Sequence, residues 1–184
     1  MALPAAEILD VIKRSDRCYQ TVRGYVAERH LEKLLEGLVA AGRLPAFRFV
    51  NAEGQPDFEI SVGGKPWNLE CKNVLRGFAY SNGDLKVDFQ RTRNQLGQGA
   101  NTGRYYKTHD FDILGACEYN QTGKWEFKFV WTRDLPQVSV EGVRCIVKAV
   151  RVPRATAGGP WQTDLVELLK RGPAPRRPRA RRPR

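Results

Sequence analysis

The sequence predicts an α/β chain, and three observations carry that prediction. Two alternating segments flank Gly63-Gly64 within QPDFEISVGGKPWNLECKNV, residues 55–74. Leu31, Leu34, Leu35, Leu38 and Val39 gather on one arc at helical spacing. Trp125, Phe127, Phe129 and Trp131 alternate strictly, as a half-buried strand requires. At 184 residues the chain can form one domain with a real core and is short for two. Residues 1–171 are therefore read as a single domain. Residues 172–184, rich in Arg and Pro, are read as a disordered basic tail.

Taken in order, Pro4 to about Arg14 is a short helix with Ile8, Val11 and Ile12 on one face, broken by Ser15-Asp16. A stronger helix runs from about Val22 to Ala41, ended by Gly42 and Pro45. Glu28 falls inside its apolar arc, whereas Arg29, His30, Lys33 and Glu36 lie outside. A carboxylate there is expensive unless it pairs, ligates a metal, or reaches the boundary and water. His30 is read as a solvated surface residue. Phe47 to Val50 is a short strand leading to the Gly63-Gly64 hairpin. A polar loop follows Asn73 and ends at Asn82-Gly83. Asp84 could cap a helix reaching about Leu96, with Leu85, Phe89, Thr92 and Leu96 inward. Its outer face would offer Gln90, Arg91, Arg93 and Asn94, donors suited to phosphate or simply to water. The Gly97 to Arg104 loop adds Arg104 but lacks the Lys-Ser/Thr ending of a phosphate-binding loop. Strands are expected at Phe111 to Tyr119, Lys124 to Thr132 and Val143 to Val150. A closing helix is expected from Trp161 to Lys170, with Leu165, Leu168 and Leu169 inward.

The hairpin carries the chemistry. A Gly-Gly turn fixes the register, because both central residues can take positive φ. Val62 then lies opposite Lys65, and Asp57 opposite Glu70. Alternation sorts the hairpin into two faces. Phe58, Ile60, Val62, Trp67, Leu69 and Cys71 form an apolar face. Asp57, Glu59, Ser61, Asn68, Glu70 and Lys72 form the other. Carboxylates opposed at about 5 Å repel unless a cation lies between them. A hard divalent metal suits such an oxygen-rich pair. Lys72, roughly 6.5–7 Å along the strand from Glu70, reaches whatever the metal holds. Glu59 shares this face but pairs with Asn68, further from the centre.

Net charge is +11, and seven Arg in residues 171–184 contribute much of it. A basic body with a basic tail points to a polyanionic partner. Cys18, Cys71, Cys117 and Cys145 are scattered without a Cys-x-x-Cys pair, which argues against zinc and for reduced cytosolic thiols. Neither a secretory leader nor a membrane-length apolar run is expected.

Pro56-Asp57 followed by Glu70-Cys71-Lys72 resembles the PD-(D/E)-x-K signature of the restriction-endonuclease-like nuclease superfamily. Gly24-Tyr25-Val26-Ala27-Glu28 resembles the Gly-x-x-x-Glu helix of several of its branches, archaeal Holliday junction resolvases among them. The match covers about Val22 to Asn94. The sequence departs from the branch that carries Gln-x-x-x-Tyr after the lysine, since Gln90 is followed four places later by Asn94. The resemblance implies a mixed β-sheet flanked by helices on both faces. It implies a phosphodiesterase using Mg²⁺, with Mn²⁺ as a substitute, acting on double-stranded DNA, often as a homodimer. Asp57, Glu70, the main-chain carbonyl of Cys71 and Glu28 would then be the metal ligands, and Lys72 the catalytic cation. The expectation is a restriction or defence endonuclease in the cytoplasm, close to the nucleoid. A junction resolvase and a nucleic-acid-binding module without turnover are the alternatives.

Overall fold

A computed structural model describes residues 3–50, 52, 54–89 and 103–173. Helix α1 spans Ala5–Arg14 and buries none of its residues. Helix α2 follows as Asp16–Ala40, its N-terminus closed by the Ser15 hydroxyl accepting from Cys18 N–H. Gly42, at φ 66°, turns the chain out of the helix in the left-handed conformation that glycine adopts without penalty.

Strands β1 (Ala46–Phe49), β2 (Phe58–Val62) and β3 (Lys65–Asn73) form an antiparallel meander. Strand β4 (Leu85–Asp88) leaves the sheet, and β5 (Ile113–Cys117) returns to pair parallel with β3. A one-turn helix α3 (Tyr119–Thr122) leads to β6 (Phe127–Trp131), antiparallel to β5. The result is a five-stranded mixed sheet in the order β1-β2-β3-β5-β6. Strands β7 (Gln137–Val140) and β8 (Val143–Ile146) form a small hairpin, β9 (Ala149–Val152) pairs with β4, and α4 (Leu165–Arg171) closes the described chain.

The sheet is buried on both faces. On one, Ala27, Leu31 and Leu35 of α2 and Leu165 and Leu168 of α4 meet Phe58, Ile60, Leu69, Cys71, Phe127, Phe129 and Trp131. Gly115 sits where this packing is tightest. A Cβ there would lie 3.3 Å from Phe129 Cε1 and 3.4 Å from Leu31 Cδ2, so the helix approaches because glycine leaves room. On the other face, Leu114, Ala116 and Val130 meet Val74, Val87, Phe89, Ile146, Val150 and Val152. Among the described residues this second face is covered by the β4–β9 ribbon, β8 and loops. That differs from the expectation of helices on both faces.

The reason lies in residues 85–89. Leu85, Val87 and Phe89 are buried while Lys86 is half-buried and Asp88 exposed, a period of two that makes a strand of Leu85–Asp88, the first part of the expected helix. Asp84 caps no helix. Its carboxylate accepts from Asn82 Nδ2 and Arg154 N–H. The remainder of that expected helix, with Gln90, Arg91, Arg93 and Asn94, lies outside the described residues, as does the tail from 174 onward. The single strand expected at Val143 to Val150 is two strands in two different ribbons. The closing helix starts at Leu165 rather than Trp161, because Asp164 caps it by accepting from Val166 and Glu167 N–H. Among the described residues no helix is long and apolar enough to cross a membrane.

Candidate active site

The hairpin register is the one the Gly63-Gly64 turn dictates: Phe58 faces Leu69, Ile60 faces Trp67 and Val62 faces Lys65. Both glycines have positive φ, 59° and 74°. Asp57 stands one residue ahead of β2, next in register to Glu70. Its Oδ2 accepts from Cys71 N–H at 2.7 Å, which ties it to the far strand. Glu70 is 5% exposed and pairs with Lys72 through its Oε1. Lys72 Nζ lies 5.2 Å from the centre of the Tyr106 ring, so an aromatic wall closes one side of the ammonium.

Glu28 reaches this site from α2. It is half-buried, and among the described residues it forms no ion pair with an arginine. The charges that act on it are those of Lys72 and Glu70. Arg29, the next residue, points outward and holds Glu32 and Glu36 at 2.6 and 3.0 Å. Three carboxylates therefore act electrostatically on one another with one lysine among them.

The protonation behaviour follows from that imbalance. Burial, then the negative charge of Glu70, raises the Asp57 carboxyl from 3.8 to about 7, against the opposing pull of Lys72. Burial also raises Glu28, with Lys72 opposing and Glu70 adding. Burial works against the Lys72 ammonium, yet Glu70, Tyr106 and Asp57 together hold it well above its ordinary value. Lys72 is thus a permanent cation, unable to act as a base near neutrality.

The donor set is one of hard oxygens, in excess of the positive charge present, and that suits a divalent cation such as Mg²⁺. Among the described residues no group of three His, Cys, Asp or Glu side chains is arranged to hold a metal. The carboxylates that the hairpin register brings side by side are a pair, Asp57 and Glu70. Mg²⁺ commonly takes one or two carboxylates, with waters and substrate phosphate completing its shell. Asp57 and Glu70 would hold it, exchanging their present bonds to Cys71 N–H and Lys72 for the cation.

Sequence reasoning missed Tyr106, which lies 34 positions beyond Lys72 with no local signal linking the two. It also misread His30, whose ring stacks on Trp125 at 3.8 Å while Trp125 stacks on Tyr119 at 3.8 Å. Partial burial, then Lys33 and Arg29, lowers the His30 pKa, so its neutral ring is favoured. Arg104 is exposed. Glu59 pairs with Arg48, its register partner on β1, at 3.3 Å.

No family model matches the chain, and no curated protein matches it. Among solved structures the chain is similar to a bacterial homing endonuclease, I-Ssp6803I. The similarity covers 61% of this chain and 68% of that one, at 17% identity and a TM-score of 0.45.

Proposed function

We propose that this protein is a Mg²⁺-dependent DNA endonuclease of the PD-(D/E)-x-K type, with Mn²⁺ able to substitute. The observation that carries the reading is the meeting of Asp57, Glu70, Lys72 and Glu28 in one half-buried, over-negative site. An ordinary surface salt bridge has no use for two further carboxylates whose protons are held by burial and by the charge of Glu70.

Asp57 and Glu70, with the Cys71 main-chain carbonyl, would hold the cation. When bound, the metal lowers the pKa of a water and stabilises charge on the phosphate oxygens. Lys72, fixed as an ammonium, donates to a non-bridging oxygen and offsets the charge that accumulates as the water oxygen attacks phosphorus and the P–O bond to the leaving sugar oxygen breaks. Glu28 orients that water from the helix side. The substrate is double-stranded DNA, the assembly a homodimer that cuts both strands, and the role restriction or defence.

The test is a cleavage assay on duplex DNA, single-stranded DNA and a four-way junction, with Mg²⁺, Mn²⁺ or EDTA. Discrete duplex fragments in either metal and none in EDTA are expected. Symmetric nicks confined to the junction would turn the reading to a resolvase. Metal-independent cleavage, or tight binding without cleavage of any substrate, would refute it.

A further inference from the structure

Beyond the cleavage site, the outer face of the β4–β9 ribbon presents cations that rest on aromatic rings. Lys86 and Arg151 are register partners across the ribbon. Their inward neighbours Val87, Val150 and Val152 are buried, so alternation turns both cations outward. Lys86 Nζ lies 5.2 Å from the centre of Phe78, and the Arg151 guanidinium 4.0 Å from the centre of Tyr80. Phe78 and Tyr80 pack edge to face at 5.1 Å, so the two seats are one unit. Lys148, exposed at the end of the ribbon just before β9 and bonded through its carbonyl to Phe89 N–H, lies 4.7 Å from the centre of Tyr105. Asp84 sits 3.7 Å from Arg151, but that carboxylate already accepts from Arg154 N–H and Asn82.

This surface is joined to the site. Val74, two residues beyond Lys72, bridges to Val87 of β4, and Leu75 N–H donates to Lys86 O at 2.8 Å. On the other side Tyr105, under Lys148, precedes Tyr106, which faces Lys72. The line of cations thus starts beside the reactive face and runs outward along the ribbon.

We infer that the β4–β9 outer face, with the exposed end of the ribbon at Lys148, is a backbone clamp for duplex nucleic acid, Lys86, Arg151 and Lys148 contacting phosphates flanking the scissile one. This deepens the nuclease reading and rests on it for the partner. Seating each cation on a ring fixes long side chains that would otherwise lose rotamer freedom on binding. The Arg151 side chain is 54% exposed, Lys148 is exposed and Lys86 is half-buried, so all three reach solvent.

The experiment measures binding of the full chain to a fluorescent mixed-sequence duplex across a KCl series in EDTA. The proteins are wild type, Lys86→Gln/Lys148→Gln/Arg151→Gln, and a charge-matched control, Lys13→Gln/Arg14→Gln/Arg17→Gln. Each phosphate contact contributes about 0.9 to the salt slope, so the ribbon variant should lose about 2 to 3 units. The control should keep the wild-type slope. Equal loss in both, or none in the ribbon variant, would overturn the inference, as would binding by wild type to phosphatidylserine vesicles but not to DNA. Should the triple variant melt early, Tyr80→Leu serves instead. It removes no charge, frees Arg151, and should weaken binding by about two- to fivefold; unchanged affinity there would overturn the proposal. Because binding is read without metal or turnover, failure of the nuclease reading would appear separately, as DNA bound with the full slope and never cut.

Discussion

Two glutamate–lysine pairs stand on this sheet. Lys72, Ala116 and Lys128 are aligned across β3, β5 and β6, so both lysines sit in one row on one face. Lys128 pairs with Glu118 at 2.8 Å and also donates to the carbonyls of Pro153 and Arg154 at 2.8 and 3.0 Å. Its three donors meet three acceptors, and both side chains are below 10% exposed. That pair is complete, and it fastens the chain after β9 to the sheet. Lys72 shares its charge among Glu70, Asp57 and Glu28, stays 25% exposed and has an aromatic ring for a neighbour. The same two residue types therefore serve opposite ends. One pair closes a structure, and the other leaves negative charge over for a cation to neutralise.

Activity should separate the two pairs most. Asp57→Asn should reduce cleavage by at least about 10²–10³-fold, the scale of losing one group that stabilises transition-state charge. DNA binding should stay within a few-fold and thermal stability at mildly alkaline pH should be unchanged or higher, because a repelled carboxylate has gone. Retained cleavage would remove Asp57 from the site. Glu118→Gln should do the reverse. Leaving Lys128 buried without its counter-charge should cost about 3–5 kcal/mol in a denaturant titration, with activity per folded molecule kept. An unaltered midpoint would make the buried pair dispensable.

A smaller effect sharpens the contrast through pH. Asp57 titrates at about 7 in the fold against an ordinary 3.8. Folding favours its protonated form, so this contribution to stability is complete below the ordinary value and is lost as pH rises through about 7. The stability of wild type relative to Asp57→Asn should fall across that window and level off above it. Mg²⁺ needs the ionised carboxylate, so its affinity should climb with pH over the same window and then flatten. A pH-independent affinity would separate Asp57 from the metal.

The hairpin was legible because a two-glycine turn leaves one register open, and register alone places Asp57 beside Glu70. Glu28 was legible as a carboxylate on an apolar stripe, and the leucines around it pack where the helical period puts them. Strand β4 was not, because Leu85 and Phe89 are four apart, a spacing that belongs to a strand face and a helix face alike. Val87 decides between them, and its burial follows from pairing with Val150, which no local pattern announces. The same holds for Tyr106 at Lys72 and Tyr80 beneath Arg151. Such contacts come from topology, and the sequence shows two separated residues of ordinary kinds. Trp161 was expected to open the closing helix, but the capping carboxylate of Asp164 starts that helix later and leaves the indole to the second core.

The Asp57–Glu70 pair is proposed to hold a divalent cation, and the Glu118–Lys128 pair is not. Calorimetric titration of Mg²⁺ into wild type, Glu70→Gln and Glu118→Gln at mildly alkaline pH tests it directly. Binding by wild type and by Glu118→Gln, with none by Glu70→Gln, is the predicted result. Undiminished binding by Glu70→Gln would contradict it.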